Sequence, residues 1–128
     1  MIAIGIGANS QAHKHDFATA LAEAREAVGG ADVVATFDVA IFAHHVRDAA
    51  GEAGLDYRSV ALDAMRARSG DCLTRSERTL LLFGVASIAE AAALVGAGAG
   101  SQLIMARRIA GNITIAAAQS ADERKGAE

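Results

Sequence analysis

The residues best suited to chemistry fall into four groups. The first is the glycine-rich stretch Gly5-Ile6-Gly7-Ala8-Asn9-Ser10. Such a loop after a parallel strand presents free backbone N–H groups at a helix N-terminus, where an anion can sit. The dinucleotide fingerprint needs a third glycine where this chain has Ser10, and no Lys-Ser or Lys-Thr pair follows, so the stretch reads as a tight turn or a plain anion site. The second group is Thr36 and Asp38, which follow an apolar run; Asp38 is either a helix cap or a polar group at a sheet's carboxyl edge, where open α/β sheets bind ligands. The third is Ser87-Ile88-Ala89-Glu90, a capping-box pattern in which Ser87 accepts from the third helical N–H and Glu90 reaches back to the cap. Glu90 is also a candidate to hold a ligand amide or to act as a general base. The fourth is the arginines Arg75, Arg78, Arg107 and Arg108, which solvate a surface or pair with ligand carboxylates.

The remaining polar candidates carry less. His13 and His15 are two residues apart and do not share a helix face, and His44 and His45 are adjacent, so no metal-ligand spacing emerges and no metal or cofactor is expected. Cys72 has no base beside it in sequence and, being the lone cysteine, excludes an internal disulfide. The net charge is −3, with no Trp and one Tyr, so neither bulk electrostatics nor base stacking favours nucleic acid. The chain opens without a basic segment ahead of an apolar one. The apolar run Leu80–Val95 is interrupted by Glu90 and short for a bilayer, so no membrane association is expected and the cytoplasm is the default.

These residues need elements to position them. Ile2–Ile6 reads as a buried strand, and Phe17, Leu21, Ala24 and Val28 as one face of a helix stopped by Gly29-Gly30. Ala31–Phe37 is a second strand, and strand-helix-strand within about 37 residues is a βαβ unit with parallel strands. A helix over Ile41–Ala53, a strand near Ser59–Leu62 with Asp63 capping the next turn, and a polar loop over 65–75 follow. A helix starting at Thr74 or Ser76 runs through Leu80–Phe83. The helix after Ser87 breaks at Gly96 and Gly98. Leu103–Ala106 and Ile113–Ala116 flank Ala110-Gly111-Asn112 as a hairpin, with Arg107 and Arg108 past the first of these strands. With 128 residues and 52% apolar content dominated by alanine, the expectation is one α/β domain over residues 1–119 with a polar tail at 120–128. It is a three-layer α/β/α arrangement around a mixed, mostly parallel sheet with a C-terminal hairpin, and small core side chains let helices approach that sheet closely.

The ordered set Gly5-Ile6-Gly7, Thr36-x-Asp38, Ser76-Glu77, Gly84–Leu94 and Ile113–Ala118 resembles the cobalamin-biosynthesis proteins CobE and the carboxy-terminal domain of CbiG. The Ser87-x-x-Glu90-Ala-Ala-Ala-Leu94 block is the most specific part of that resemblance. It implies a role in building the corrin ring. The implied activity is binding or carrying a precorrin-type tetrapyrrole; enzymatic action on a precorrin, or docking on another pathway enzyme, are the alternatives. CbiG itself opens a ring lactone with release of acetaldehyde, but it has an amino-terminal domain that this sequence does not show. The ligand-binding residues expected on these grounds are Gly5, Gly7, Asn9, Ser10, Thr36, Asp38, Ser87, Glu90 and Arg107. Two departures stand out: Ala8 replaces a usual cysteine, and Ala40 and Ala43 replace a Lys-x-x-Glu pattern.

Overall fold

A computed structural model describes residues 1–38 and 40–121. The strands are β1 (Ile2–Ala8), β2 (Val33–Phe37), β3 (Asp56–Val60), β4 (Gln102–Ala110) and β5 (Ile113–Gln119). The helices are α1 (Lys14–Val28), α2 (Ala43–Glu52), α3 (Leu62–Ala67), α4 (Glu77–Phe83) and α5 (Ile88–Ala97), with a 3-10 turn at Ser69–Asp71. The strands form one sheet in the order β3-β2-β1-β5-β4. β1 pairs parallel with β2, and β2 parallel with β3, while β5 runs antiparallel to both β1 and β4. Four strands therefore point the same way, and the expected mixed sheet with its terminal hairpin is present. The expected polar tail lies outside the described residues from position 122 onward.

Side-chain size sorts the two faces of the sheet. Ile4, Ile6, Val34, Ile113 and Ile115 point to one face and pack against Phe17 and Leu21 of α1 and Val46 of α2. Residues one position out of phase are small on β1 and β5 (Ala3, Gly5 and Gly7; Ala116 and Ala118), and on β2 Ala35 lies between the larger Val33 and Phe37 on that face. This is the two-residue period of a strand, applied to volume rather than polarity. α5 lies on the small face, and its alanines Ala89, Ala91, Ala92 and Ala93 are fully buried. A Cβ added at Gly5 would strike the backbone of Ala89 and Ala93. One added at Gly96 would come within 2.9 Å of the Ala35 Cβ. Gly96 thus does not break α5 as expected; it lies inside the helix, where close approach to the sheet outweighs its poor helix propensity of about 1 kcal/mol.

Other boundaries shift for identifiable reasons. β3 begins three residues before its predicted start, at Asp56; it is an edge strand that pairs only with β2, so it lacks the apolar run that marks a central strand. The stretch predicted as a loop from Met65 contains the end of α3 and the 3-10 turn. Asp63 does not cap α3, whose N-cap is Ala61; it sits in the first turn, 3.1 Å from Arg66. Ser76, rather than Thr74, caps α4 by accepting from Thr79 N–H at 3.2 Å. β4 continues through Arg107 and Arg108 to Ala110, and Gly111 turns the chain into β5 with φ of 65°. Its positive φ at the first turn position is that of a II′ hairpin, which matches strand twist.

Among the described residues no single helix is long and apolar enough to cross a membrane. α4 and α5 together have the length and composition, but they meet at a 62° bend, and nearly all of α5 is buried against the sheet.

Gly5→Ala should be among the costliest single-methyl additions in this protein, because the obstacle is helix backbone rather than a movable side chain. A loss of about 3 kcal/mol in urea-denaturation stability is expected, the upper end of overpacking costs. An unchanged midpoint would show that α5 does not seat at this depth.

Candidate binding cleft

A cleft of about 700 Å³ opens at the carboxyl ends of the co-directional strands. That is the edge at which open α/β sheets hold ligands, and the volume falls within the range of small-molecule sites. The end of β1 (Gly7 to Ser10), Phe37 at the end of β2, Arg107 and Ile109 on β4, and the hairpin turn supply one side. The start of α5 contributes Ser87 and Ile88, and α4 contributes Arg78, Thr79, Leu82 and Phe83. The lining is mostly apolar. Ile41, Leu82 and Ile109 are 87%, 59% and 68% exposed at its margin, an unusual outlay of large aliphatic surface.

The walls are tied together by specific contacts. Asn9 Nδ2 donates to Asn112 Oδ1 at 3.1 Å, and Asn9 N–H donates to the Asn112 carbonyl at 3.1 Å, fastening the loop after β1 to the hairpin turn. Asn9 Oδ1 also accepts from Gln11 N–H at 2.8 Å, a local turn that asparagine forms readily. Phe37 packs edge-on against Phe83, with ring centroids 5.5 Å apart, and against Phe42 at 6.2 Å. Arg66 Nε donates to the Phe83 carbonyl at 2.8 Å and so holds the last turn of α4.

Glu90 organises both walls from within. It is completely buried and meets no cationic side chain among the described residues. Its Oε1 accepts from Leu73 N–H and Thr74 N–H, both at 2.9 Å, and its Oε2 accepts from Arg107 N–H at 2.7 Å. The expected capping box is therefore only half formed. Ser87 Oγ accepts from Glu90 N–H at 3.3 Å, but the Glu90 carboxylate turns away from the cap and into the protein. Arg107 N–H is available because the β4–β5 register shifts between Met105 and Arg108. An irregularity of this kind releases a backbone donor from the ladder. One buried carboxylate thus fixes the strand that carries Arg107 and the segment that leads into α4.

The expected site residues divide clearly. Gly7, Asn9, Ser10, Ser87 and Arg107 line the cleft. Gly5 and Gly7 lie within β1 rather than in a loop, and α1 begins at Lys14 with its first turn capped by Asp16, which accepts from His13 N–H at 2.8 Å. The glycine stretch is therefore not an anion cradle at a helix end; Gly5 is a packing glycine beneath α5. Thr36 is buried and donates to the Ile6 carbonyl at 2.8 Å, just past the last β1–β2 pair at Gly5 and Ala35. Asp38 caps no helix, since Phe42 is the N-cap of α2, and it stays exposed outside the cleft lining. Glu90 acts from behind the wall. The aromatic and aliphatic lining and Asn112 escaped sequence reasoning. The one available signal was Leu80-Leu81-Leu82-Phe83, four apolar residues in a helix too short to bury them all.

The charged side chains lining the cleft are Arg78 and Arg107, and among the described residues neither guanidinium makes a hydrogen bond or ion pair. Among the described residues the lining contains no carboxylate, histidine or cysteine. Among the described residues no group of three or more His, Cys, Asp and Glu side chains is placed to hold a metal ion. Cys72 lies behind the wall near Ser87 and Glu90; burial, and then the neighbouring Glu90 charge, push its thiol up to about 11.

The family model for the cobalamin synthesis G C-terminus matches residues 2–118. The chain belongs to this family. Comparison with curated proteins gives no match. Among solved structures, this cobalamin synthesis G C-terminal protein superposes on CobE, a protein of the cobalamin (vitamin B12) biosynthetic pathway, with a TM-score of 0.78 at 24% identity over 92% of this chain and 89% of that one. It is also similar to cobalamin biosynthesis protein ChiG from Agrobacterium tumefaciens str. C58, with a TM-score of 0.75 at 27% identity over 95% of this chain and all of the other. A cobalamin biosynthesis protein G homolog from Sulfolobus solfataricus matches at TM-score 0.67 and 21% identity; 94% of this chain corresponds to 37% of that larger one. The family places the chain in cobalamin biosynthesis. The three positions expected to depart from the family pattern are spread out: Ala8 lines the cleft, Ala40 is buried in the core, and Ala43 opens α2.

Two measurements follow from Glu90. In Glu90→Gln one carboxylate oxygen becomes an NH2 donor, so either Arg107 N–H or the Leu73–Thr74 pair loses its acceptor; the expected loss is about 1–3 kcal/mol of stability by urea denaturation. A neutral result would remove the organising role. Cys72 should be alkylated by iodoacetamide at pH 8 more than tenfold more slowly in the native protein than in urea, because little thiolate is present. Its folded value lies above the ordinary 9.0, so the stability it contributes is complete below that pH and is lost as pH rises towards about 11. A Cys72→Ser protein should show less of that alkaline decline.

Proposed function

We propose that the cleft binds a precorrin-type tetrapyrrole and that the protein serves as a binding or carrier module within cobalamin biosynthesis. The observation that carries this reading is the pairing of an apolar, aromatic-bordered cleft with two guanidinium groups that have no partner among the described residues. A tetrapyrrole precursor is a broad apolar macrocycle fringed by acetate and propionate groups. Its ring suits Phe37, Phe42, Leu82 and Ile109, and its carboxylates suit Arg78 and Arg107. Membership of a cobalamin-biosynthesis family supports the choice of ligand.

Binding is favoured over catalysis by the placement of the acidic candidates. Glu90 has both oxygens engaged by backbone N–H groups in the interior, and Asp38 stands outside the lining. Neither is positioned to exchange a proton with a molecule in the cleft, which acid–base catalysis requires.

Titration of the purified protein with hydrogenobyrinic acid, followed by absorbance, should show a saturable spectral change. Ile109→Asp places a charge on the apolar margin at an exposed position, so affinity should fall at least tenfold while the thermal midpoint stays within a degree or two. No spectral or mobility change with this or an earlier precorrin would sink the proposal.

A further inference from the structure

We infer that the cleft selects its ligand in the free-acid form, by pairing two ligand carboxylates with Arg78 and Arg107, and rejects the same ligand once those groups are neutral amides. This rests on the reading of the cleft as a tetrapyrrole site and specifies which chemical state of the tetrapyrrole it takes.

The distribution of arginine partners motivates it. Four guanidinium groups are committed to the protein: Arg58 to the Gly96 carbonyl, Arg66 to the Phe83 carbonyl and Asp63, Arg68 to Ser101 and Asp71, Arg75 to Glu77. Arg25 and Arg108 also lack a side-chain partner among the described residues, but they lie outside the cleft lining. Arg78 on α4 and Arg107 on β4, which both line the cleft, are left without such partners among the described residues. Both walls are fixed from behind. Glu90 Oε2 holds Arg107 N–H at 2.7 Å, and Glu90 Oε1 holds Leu73 and Thr74 N–H at 2.9 Å. Ser76 N–H donates to the Ala86 carbonyl at 2.9 Å and completes the root of α4. The backbone spacing between the two cations is thereby set before any ligand arrives, which lowers the ordering cost of a two-point contact.

The chemistry then discriminates. A guanidinium has donors only, and a carboxylate offers two anionic acceptors for it. A primary amide offers one neutral acceptor and turns an NH2 donor towards the same fork, so the bidentate contact and the charge pairing are both lost. Sites built around a polar partner reject an analogue that lacks it more strongly than apolar sites reject a change of shape. Neutral oxygens in the lining, such as those of Ser10 and Thr79, can accept from an added NH2, but they do not replace the lost charge pairing. The protein accordingly belongs upstream of any reaction that amidates these ligand side chains.

The test titrates the intact protein with hydrogenobyrinic acid and with the same corrin whose side-chain carboxylates have been converted to amides. Wild type, Arg78→Gln, Arg107→Gln and the double variant are compared at low and high salt. The acid should bind at least tenfold more tightly than the amide, each single substitution should weaken the acid about tenfold, and none should weaken the amide. Equal affinity for acid and amide, or unchanged acid affinity in the double variant, overturns the inference while leaving tetrapyrrole binding intact. Failure of both compounds to bind overturns the carrier reading and this inference with it.

Discussion

The seating of α5 on the small face of the sheet is the constraint from which the rest follows. A helix can lie this close only where both surfaces lack bulk, and the chain provides Ala3, Gly5, Gly7 and Ala35 beneath Ala89, Ala93 and Gly96. The isoleucines of β1 and β5 and Val34 of β2 lie on the opposite face, packed against α1 and α2. Close packing of this kind tolerates little change in volume. The depth of α5 has a chemical consequence as well. It carries Glu90 out of reach of water, and a carboxylate there must find donors within the protein.

Those donors shape the cleft. The protein does not neutralise Glu90 with a cation. It surrounds the carboxylate with backbone N–H groups from two segments distant in sequence, one preceding α4 and one at the irregularity in β4. Charge-assisted bonds to backbone leave the arginine side chains free, so Arg107 contributes its N–H to the interior and its guanidinium to the cleft. The same residue joins the structural and the ligand-facing sides of the wall.

The division of labour clarifies the family's most recognisable sequence block. Ser87 does cap α5, and its pairing with Glu90 N–H was legible from the Ser-x-x-Glu spacing. The second half of the motif was not, because a glutamate at that position has the same sequence signature whether it folds back to its own cap or reaches across to another segment. Likewise Asp38 and Thr36 sat where the carboxyl-edge rule points, yet Thr36 is used to bridge β2 to β1 and Asp38 remains in solvent. Arg78 was legible only as one surface arginine among several, since nothing local indicates that α4 folds over the strand ends.

The sequence by itself determined the order of the five strands and of α1, α2, α4 and α5, the parallel β1–β2 unit, the terminal hairpin, the start of α5 and the family. Each of these is written in short-range patterns: β-branched runs, helical spacing, cap residues and turn glycines act on neighbours within a few positions. The location and character of the cleft were decided only by tertiary structure. Its walls come from β1, β2, the hairpin, α4 and the start of α5, and its organising carboxylate bonds to residues 17, 16 and 17 positions away. Such contacts depend on which segments the close seating of α5 brings together, and no local pattern encodes that.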